Sequence, residues 1–280
     1  MFYLLTQIIQ MKILLNNDDL NEALHKVPKL GFIPTMGSIH KGHISLIDRS
    51  KKECDKTIVS IFVNPNQFNN KKDFKHYPRN SKNDLSILKK LKVNFVYLPT
   101  KKDVYKTKRK LKIVLNKKDQ ILCAKYRKGH FEGVIDVMDR LTNLIKPKKI
   151  YMGQKDLQQL NLVKSYIENK YKSEIVSCKT IRDFNGLALS SRNLLLNNKE
   201  ITKARYIAKK LVTIKSYIKN QNNIKKFLTD KKIEMNKMFN VKIEYLELRN
   251  IKSLKVSNQI KDSRLLIAYY VNKIRLIDNI

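Results

Sequence analysis

The chain has 280 residues, 42% of them hydrophobic. That length allows one large or two modest domains with a sizeable core, and no apolar run reaches the roughly 18 residues that a membrane-spanning helix needs. The 59 lysines and arginines against 24 acidic residues give a formal net charge of +35, but lysine dominates and is spread along the whole chain. A dedicated nucleic-acid surface would cluster arginine with aromatic residues, so the charge reads as compositional bias.

The first ten residues, MFYLLTQIIQ, have no basic start and no small-residue cleavage site, and they read as a short extension ahead of Met11 rather than a signal peptide. Short runs rich in Val, Ile, Phe and Tyr then recur at 30–34, 57–64, 93–99, 148–153 and 174–180 and predict strands. Between them, residues 43–54, 81–92, 131–146 and 156–170 repeat apolar positions every three or four and predict helices, with Ser81 and Asp156 as N-caps. The basic stretch 106–119 includes an alternating run that could form one solvated strand. Beyond about residue 183 the pattern changes to two helices, 199–219 and roughly 222–239, and then strands over 241–250, 263–271 and 273–279. Cys54, Cys123 and Cys178 are far apart and form no CxxC, which points to a reducing compartment, the cytoplasm, and away from structural zinc.

Strand–helix alternation predicts an α/β fold. Its core is a Rossmann-like, doubly wound parallel sheet over residues 1–181, with a smaller α+β lid domain over 182–280. In such sheets ligands bind beyond the carboxyl ends of the strands. Four polar, mostly glycine-containing segments follow predicted strands: PTMGSIHKGH (34–43), NPNQF (64–68), GQKDLQQ (153–159) and RDFNGLALSSRN (182–193). They should meet in one cleft.

PTMGSIHKGH is open to three readings on its residues alone. The i, i+3 histidines His40 and His43 could hold a metal, although no acidic or cysteine ligand adjoins them. They could sit in an idle turn. Alternatively, Gly37 and Gly42 would let the backbone approach a phosphate at a helix N-terminus, with the imidazoles as donors to the charge that develops there.

HKGH resembles the HxGH signature of the nucleotidyltransferases. Together with GFIPTMGSIHKGH, VSIFVNPNQF, DFKHYPRN, GHFEGV, YMGQKDLQQL, RDFNGLALSSRN, IEYLELRN and IRLIDN, it makes residues 11–280 similar to the pantothenate synthetase (pantoate–β-alanine ligase) family. The resemblance implies an ATP-dependent ligase, with Mg²⁺ accompanying the ATP. Pantoate attacks the α-phosphate to give pantoyl adenylate and pyrophosphate. β-Alanine then displaces AMP to give pantothenate. It also implies a homodimer.

Site residues follow from the same resemblance. Met36, Gly37, Ser38, Ile39, His40, Lys41, Gly42 and His43 would contact ATP, with His40 and His43 on the phosphates. The family assigns His43 as proton donor, whereas electrostatic stabilisation suits phosphoryl oxygens better. Gln67, beside Asn64, would bind pantoate and β-alanine, and Gln159 would help to hold pantoate. Gly153, Gln154, Lys155 and Asp156 would form a further ATP segment, with Lys155 catalytic and Gln154 standing where the family has Glu. Ile181 would touch adenine, and Leu189, Ser190, Ser191 and Arg192 would serve the leaving pyrophosphate. Any metal would arrive with ATP rather than on the histidines. Arg127 and His130 fall outside the expected site, Gln158 is read as part of a solvated helix face, and His25 and His76 as surface residues. Two other classes compete: another HxGH nucleotidyltransferase, which the paired glutamines oppose, and a nucleic-acid binder, which rests on charge alone.

Overall fold

The structure is a computed structural model that describes residues 10–107 and 113–280. Residues 1–9 of the expected extension and 108–112 of the basic stretch lie outside them. What is described of that stretch is irregular or a short 3₁₀ turn at Lys117–Asp119, not a strand.

In chain order the first part runs β1 (Lys12–Leu14), α1 (Asn17–Leu24), β2 (Leu30–Thr35), α2 (Lys41–Glu53), β3 (Lys56–Ile61), α3 (Lys71–His76), α4 (Ser81–Lys90), β4 (Phe95–Tyr97), α5 (Lys101–Val104), α6 (Leu122–Tyr126), α7 (His130–Ile145), β5 (Lys149–Gly153), α8 (Leu157–Lys170) and β6 (Glu174–Cys178). The second part adds α9 (Asn198–Ile218), α10 (Ile224–Phe239), β7 (Lys242–Asn250), β8 (Ser263–Val271) and β9 (Ile274–Asn279). The predicted strands and long helices are present. The cap of α4 is Asn80, whose side chain accepts the Asn83 N–H, and Ser81 is the first helical residue. Asp156 stands at the N-cap of α8 but its side chain caps nothing; it lies 3.6 Å from Lys155 Nζ instead.

Six parallel strands form one sheet in the order β1-β4-β3-β2-β5-β6. The chain reverses direction across the sheet between β2 and β5, so this is its switch point. Pairing of β2 with β3 continues to Thr35, but pairing of β2 with β5 ends at Phe32. Leu30 accepts from Lys148 on the β5 side, and Thr35 accepts from Phe62 on the β3 side. Backbone groups alternate in direction along a strand, so Pro34 faces β5. Its missing N–H therefore falls where the ladder has already ended and leaves no bond unmade. A crevice opens there.

The second sheet is antiparallel, in the order β7-β8-β9. Along β8, Leu265, Ile267, Tyr269 and Val271 pack with α9 and α10, while Leu266 and Ala268 join the core that holds α7 and α8. This period-2 division buries both faces of β8 and seats the second sheet against the first part. Within the second part, Arg182 holds β9 with two bonds to Asp278, at 2.7 and 2.9 Å.

Candidate active site

The first loop leaves β2 through two left-handed residues, Gly37 (φ +83°) and Ser38 (φ +53°). Asp84 on α4 holds this turn: its two oxygens accept the N–H groups of Ser38 at 2.9 Å and Ile39 at 2.8 Å. A Cβ on Gly37 would come 2.9 Å from Asp84 Oδ2, so the position needs glycine for space as well as for φ. The turn delivers the chain to the N-terminus of α2, where His40 is the N-cap.

His40 Nδ1 accepts the Gly42 N–H (3.1 Å), and His43 Nδ1 accepts the His40 N–H (3.3 Å). A backbone N–H can only donate, so in each neutral ring the proton sits on Nε2. Both rings are neutral at pH 7. Burial, then Lys155, lowers the His40 pKa to about 4. Burial, then His40 and Lys155, lowers that of His43 to about 3. The ring centroids are 4.1 Å apart. The helix start therefore offers two Nε2–H donors beside a lysine, which suits an anion.

In the NPNQF loop Asn64 is almost fully buried. It donates to the Gly133 carbonyl and to Gln67 Oε1, each at 3.1 Å, and accepts the Tyr105 hydroxyl at 2.8 Å. Gln67 Nε2 reaches Met36 Sδ at 3.1 Å. Helix α7 can approach this loop because residue 133 has no side chain; a Cβ there would fall 2.3 Å from the Asn66 carbonyl oxygen. His130 also holds the loop, its Nδ1 lying 2.7 Å from the Gln67 carbonyl.

All four predicted loops line one cleft of about 270 Å³ at the switch point. Met36, His40, Gly42, His43, Gln67, Gly153, Lys155, Asp156, Gln159, Ile181, Leu189, Ser190, Ser191 and Arg192 border it. Gly37, Ser38, Ile39, Lys41 and Gln154 do not. Ser38 and Ile39 are buried, with their N–H groups bound to Asp84, and the Lys41 side chain is exposed. Gln154 turns away to Ser177 Oγ (2.9 Å) and the Arg264 guanidinium (2.8 Å). The second part completes the rim: Asn279 Nδ2 donates to the carbonyls of Gln154 and Lys155 at 2.8 Å each, and Ser191 Oγ donates to the Ser38 carbonyl at 3.3 Å. Arg192 pairs with Asp73 at 2.7 Å.

Some expectations need correction. Gln158 is buried rather than solvated, because its amide caps the carbonyls of Asp119 and Ile121 at 3.0 and 2.9 Å. His130 is buried against the Gln67 loop and its Nε2 lies 2.9 Å from Arg127 Nη1; neither residue borders the main cleft. Asp84 carried no motif; a buried acid at a helix start, opposite a glycine turn, was its only trace. Lys179 and Thr180 also border the cleft. The three cysteines are free, Cys123 and Cys178 buried and Cys54 half-buried. Among the described residues no three His, Cys, Asp or Glu gather as a metal site, and no helix is long and apolar enough to cross a membrane.

Residues 7–280 match the family described as Pantoate-beta-alanine ligase. A pantothenate synthetase of Clostridium botulinum is 40% identical over 256 residues, covering 89% of this chain and 90% of the relative. One from Pseudothermotoga lettingae is 36% identical over 275 residues, 96% and 98% of the two chains. Among solved structures, the Francisella tularensis pantoate-beta-alanine ligase, crystallised with β,γ-ATP and β-alanine, superposes with a TM-score of 0.82 at 36% identity, covering 96% of this chain and 97% of that one. A Thermus thermophilus pantothenate synthetase gives 0.89 at 29% identity, covering 96% and 98%. With its match running through both sheets and all four loops of the cleft, this chain belongs to the pantoate-beta-alanine ligase family.

Proposed function

We propose that the cleft joins pantoate to β-alanine with cleavage of ATP, through pantoyl adenylate, releasing pyrophosphate and AMP. The observation that carries this reading is the division of one cleft into two chemistries. His40, His43, Lys155 and the Ser190–Arg192 segment supply donors and positive charge, while Gln67 and Gln159 supply neutral amides. The first set suits a triphosphate and the second a hydroxy acid, since an amide can both donate to a carboxylate and accept from a hydroxyl.

In the first step a pantoate carboxylate oxygen attacks the α-phosphorus and pyrophosphate leaves with the bonding pair. The Nε2–H groups of His40 and His43, with Lys155 and Arg192, meet charge growing on phosphate oxygens and leaving group. The two imidazoles act here as neutral donors and Lys155 as the fixed cation. In the second step the β-alanine amine attacks the acyl carbon, AMP leaves, and the amine proton passes to solvent. Adenylates hydrolyse readily, so the rim formed by Ser191 and Asn279 serves to exclude water. Residues 1–181 then hold nucleotide and pantoate, and residues 182–280 act as the lid. Mg²⁺ enters as part of the nucleotide substrate. Family membership supports a homodimer, and three free cysteines support a reducing, cytoplasmic setting.

The test is AMP release from ATP, which should require both pantoate and β-alanine. AMP release that ignores β-alanine, or nucleic-acid binding that survives moderate salt, would overturn the reading.

A further inference from the structure

Three arginines, Arg127, Arg192 and Arg275, line a side pocket of about 50 Å³ that shares Lys155, Asp156, Ser190 and Arg192 with the main cleft. Two have carboxylate partners: Arg192 pairs with Asp73 at 2.7 Å and Arg275 with Glu244 at 2.6 Å. Arg127 has none among the described residues; its partner is the imidazole of His130.

The proton positions explain how it is held. The Gln67 carbonyl can only accept, so His130 Nδ1, 2.7 Å away, carries the ring proton. Burial, then Arg127, lowers the His130 pKa to about 3, so the ring is neutral and its Nε2 lone pair takes the Arg127 Nη1–H at 2.9 Å. This relay ties the guanidinium to the Gln67 loop without neutralising it, and leaves its other N–H groups available to a ligand. Burial, with Arg192 and Arg275 next, depresses the Arg127 pKa to about 10, which still leaves a cation at pH 7. A half-buried cation without a carboxylate partner is costly, and an arriving anion lowers that cost.

We propose that Arg127, positioned by His130, binds the carboxylate of the amine substrate in the second half-reaction. The proposal rests on the reading of the cleft given above. The anion class admits two sources, that carboxylate or the leaving pyrophosphate. The geometry favours the carboxylate: Arg127 is fastened to the loop of Gln67, on the acyl side, whereas in an in-line displacement pyrophosphate departs on the side opposite the pantoate oxygen.

The test compares wild type with R127Q in three assays: pantoate-dependent pyrophosphate release without any amine, kcat and KM for β-alanine, and kcat/KM for β-alaninamide, which keeps the amine and lacks the carboxylate. R127Q should raise the β-alanine KM on the order of 10- to 100-fold, as for loss of a charged hydrogen bond. The preference for β-alanine over β-alaninamide should shrink by a similar factor, with amine-independent pyrophosphate release within about threefold of wild type. An unchanged preference overturns the proposal, and so does a loss confined to pyrophosphate release, which would assign Arg127 to the other anion. Should R127Q not fold, R127K decides: it keeps the charge but not the fork, and an intermediate preference supports the assignment while a wild-type preference overturns it. If wild type itself makes no AMP with pantoate and β-alanine, the reading of the cleft has failed rather than the role of Arg127.

Discussion

Asp84→Asn is the sharpest perturbation of the loop that carries His40 and His43, because Asp84 borders no part of the cleft yet holds that loop. The aspartate is 1% exposed, and its two oxygens accept consecutive N–H groups, Ser38 at 2.9 Å and Ile39 at 2.8 Å. An asparagine can serve one of these N–H groups and must turn its NH₂ toward the other. One charge-assisted bond is then lost and a buried donor left unpaired, for a cost of about 2–4 kcal/mol. In a chain of this size that should lower the Tm on the order of 10 °C. The loop carries His40 and His43, and a shift of about 1 Å in a positioning element costs on the order of 10²-fold in rate. Thermal unfolding followed by circular dichroism and pantoate-dependent pyrophosphate release measure the two effects. A Tm within about 2 °C of wild type together with a nearly unchanged rate would show that Asp84 does not hold the loop.

His43→Ala and Lys155→Ala should each cut pyrophosphate release by on the order of 10²–10³-fold while the protein stays folded, as for removal of a preorganised donor; normal release would remove them from the phosphate site. Gly133→Ala places a Cβ 2.3 Å from the Asn66 carbonyl oxygen, and backbone must move. The expected cost is about 1–3 kcal/mol of stability and a raised pantoate KM, read from urea titration and initial rates; a wild-type KM would contradict the packing argument. The histidine pKa values set a pH dependence. His40, His43 and His130 fall from 6.5 to about 4, 3 and 3 on folding. The unfolded chain therefore takes up protons first, so stability is full above pH 6.5 and drains as pH falls toward the folded values. The loss is about 1.4 kcal/mol per pH unit for each histidine at most. Urea midpoints at pH 7 and 5 should fall less for His43→Gln than for wild type, and equal slopes would exclude His43 as a source.

The order of elements was legible because each long strand and helix carries its own periodicity. Strand β1 was not: three residues, Lys12–Leu14, hold no pattern, and they become a strand only by pairing with Phe95–Tyr97 some eighty residues away. The four cleft loops were legible because they break the apolar pattern just after a strand, where the parallel fold must gather them. Gln158 and Gln159 mark the limit: they are neighbours on one helix start, yet Gln159 borders the cleft and Gln158 is buried under the 119–121 turn. Asp84 was equally silent, and His130 and Arg127, although next to or within the GHFEGV motif, gave no sign of their partners. Each acts through a backbone group brought close by packing: Asp84 on the 38–39 turn, and His130 on the Gln67 carbonyl, with Arg127 held in turn by the imidazole. Local residue order thus determined the α/β architecture and most of the predicted residues that border the cleft. Tertiary structure alone decided which side chains hold them in place, because a hydrogen-bond partner is chosen by distance in space and leaves no periodic trace in the chain.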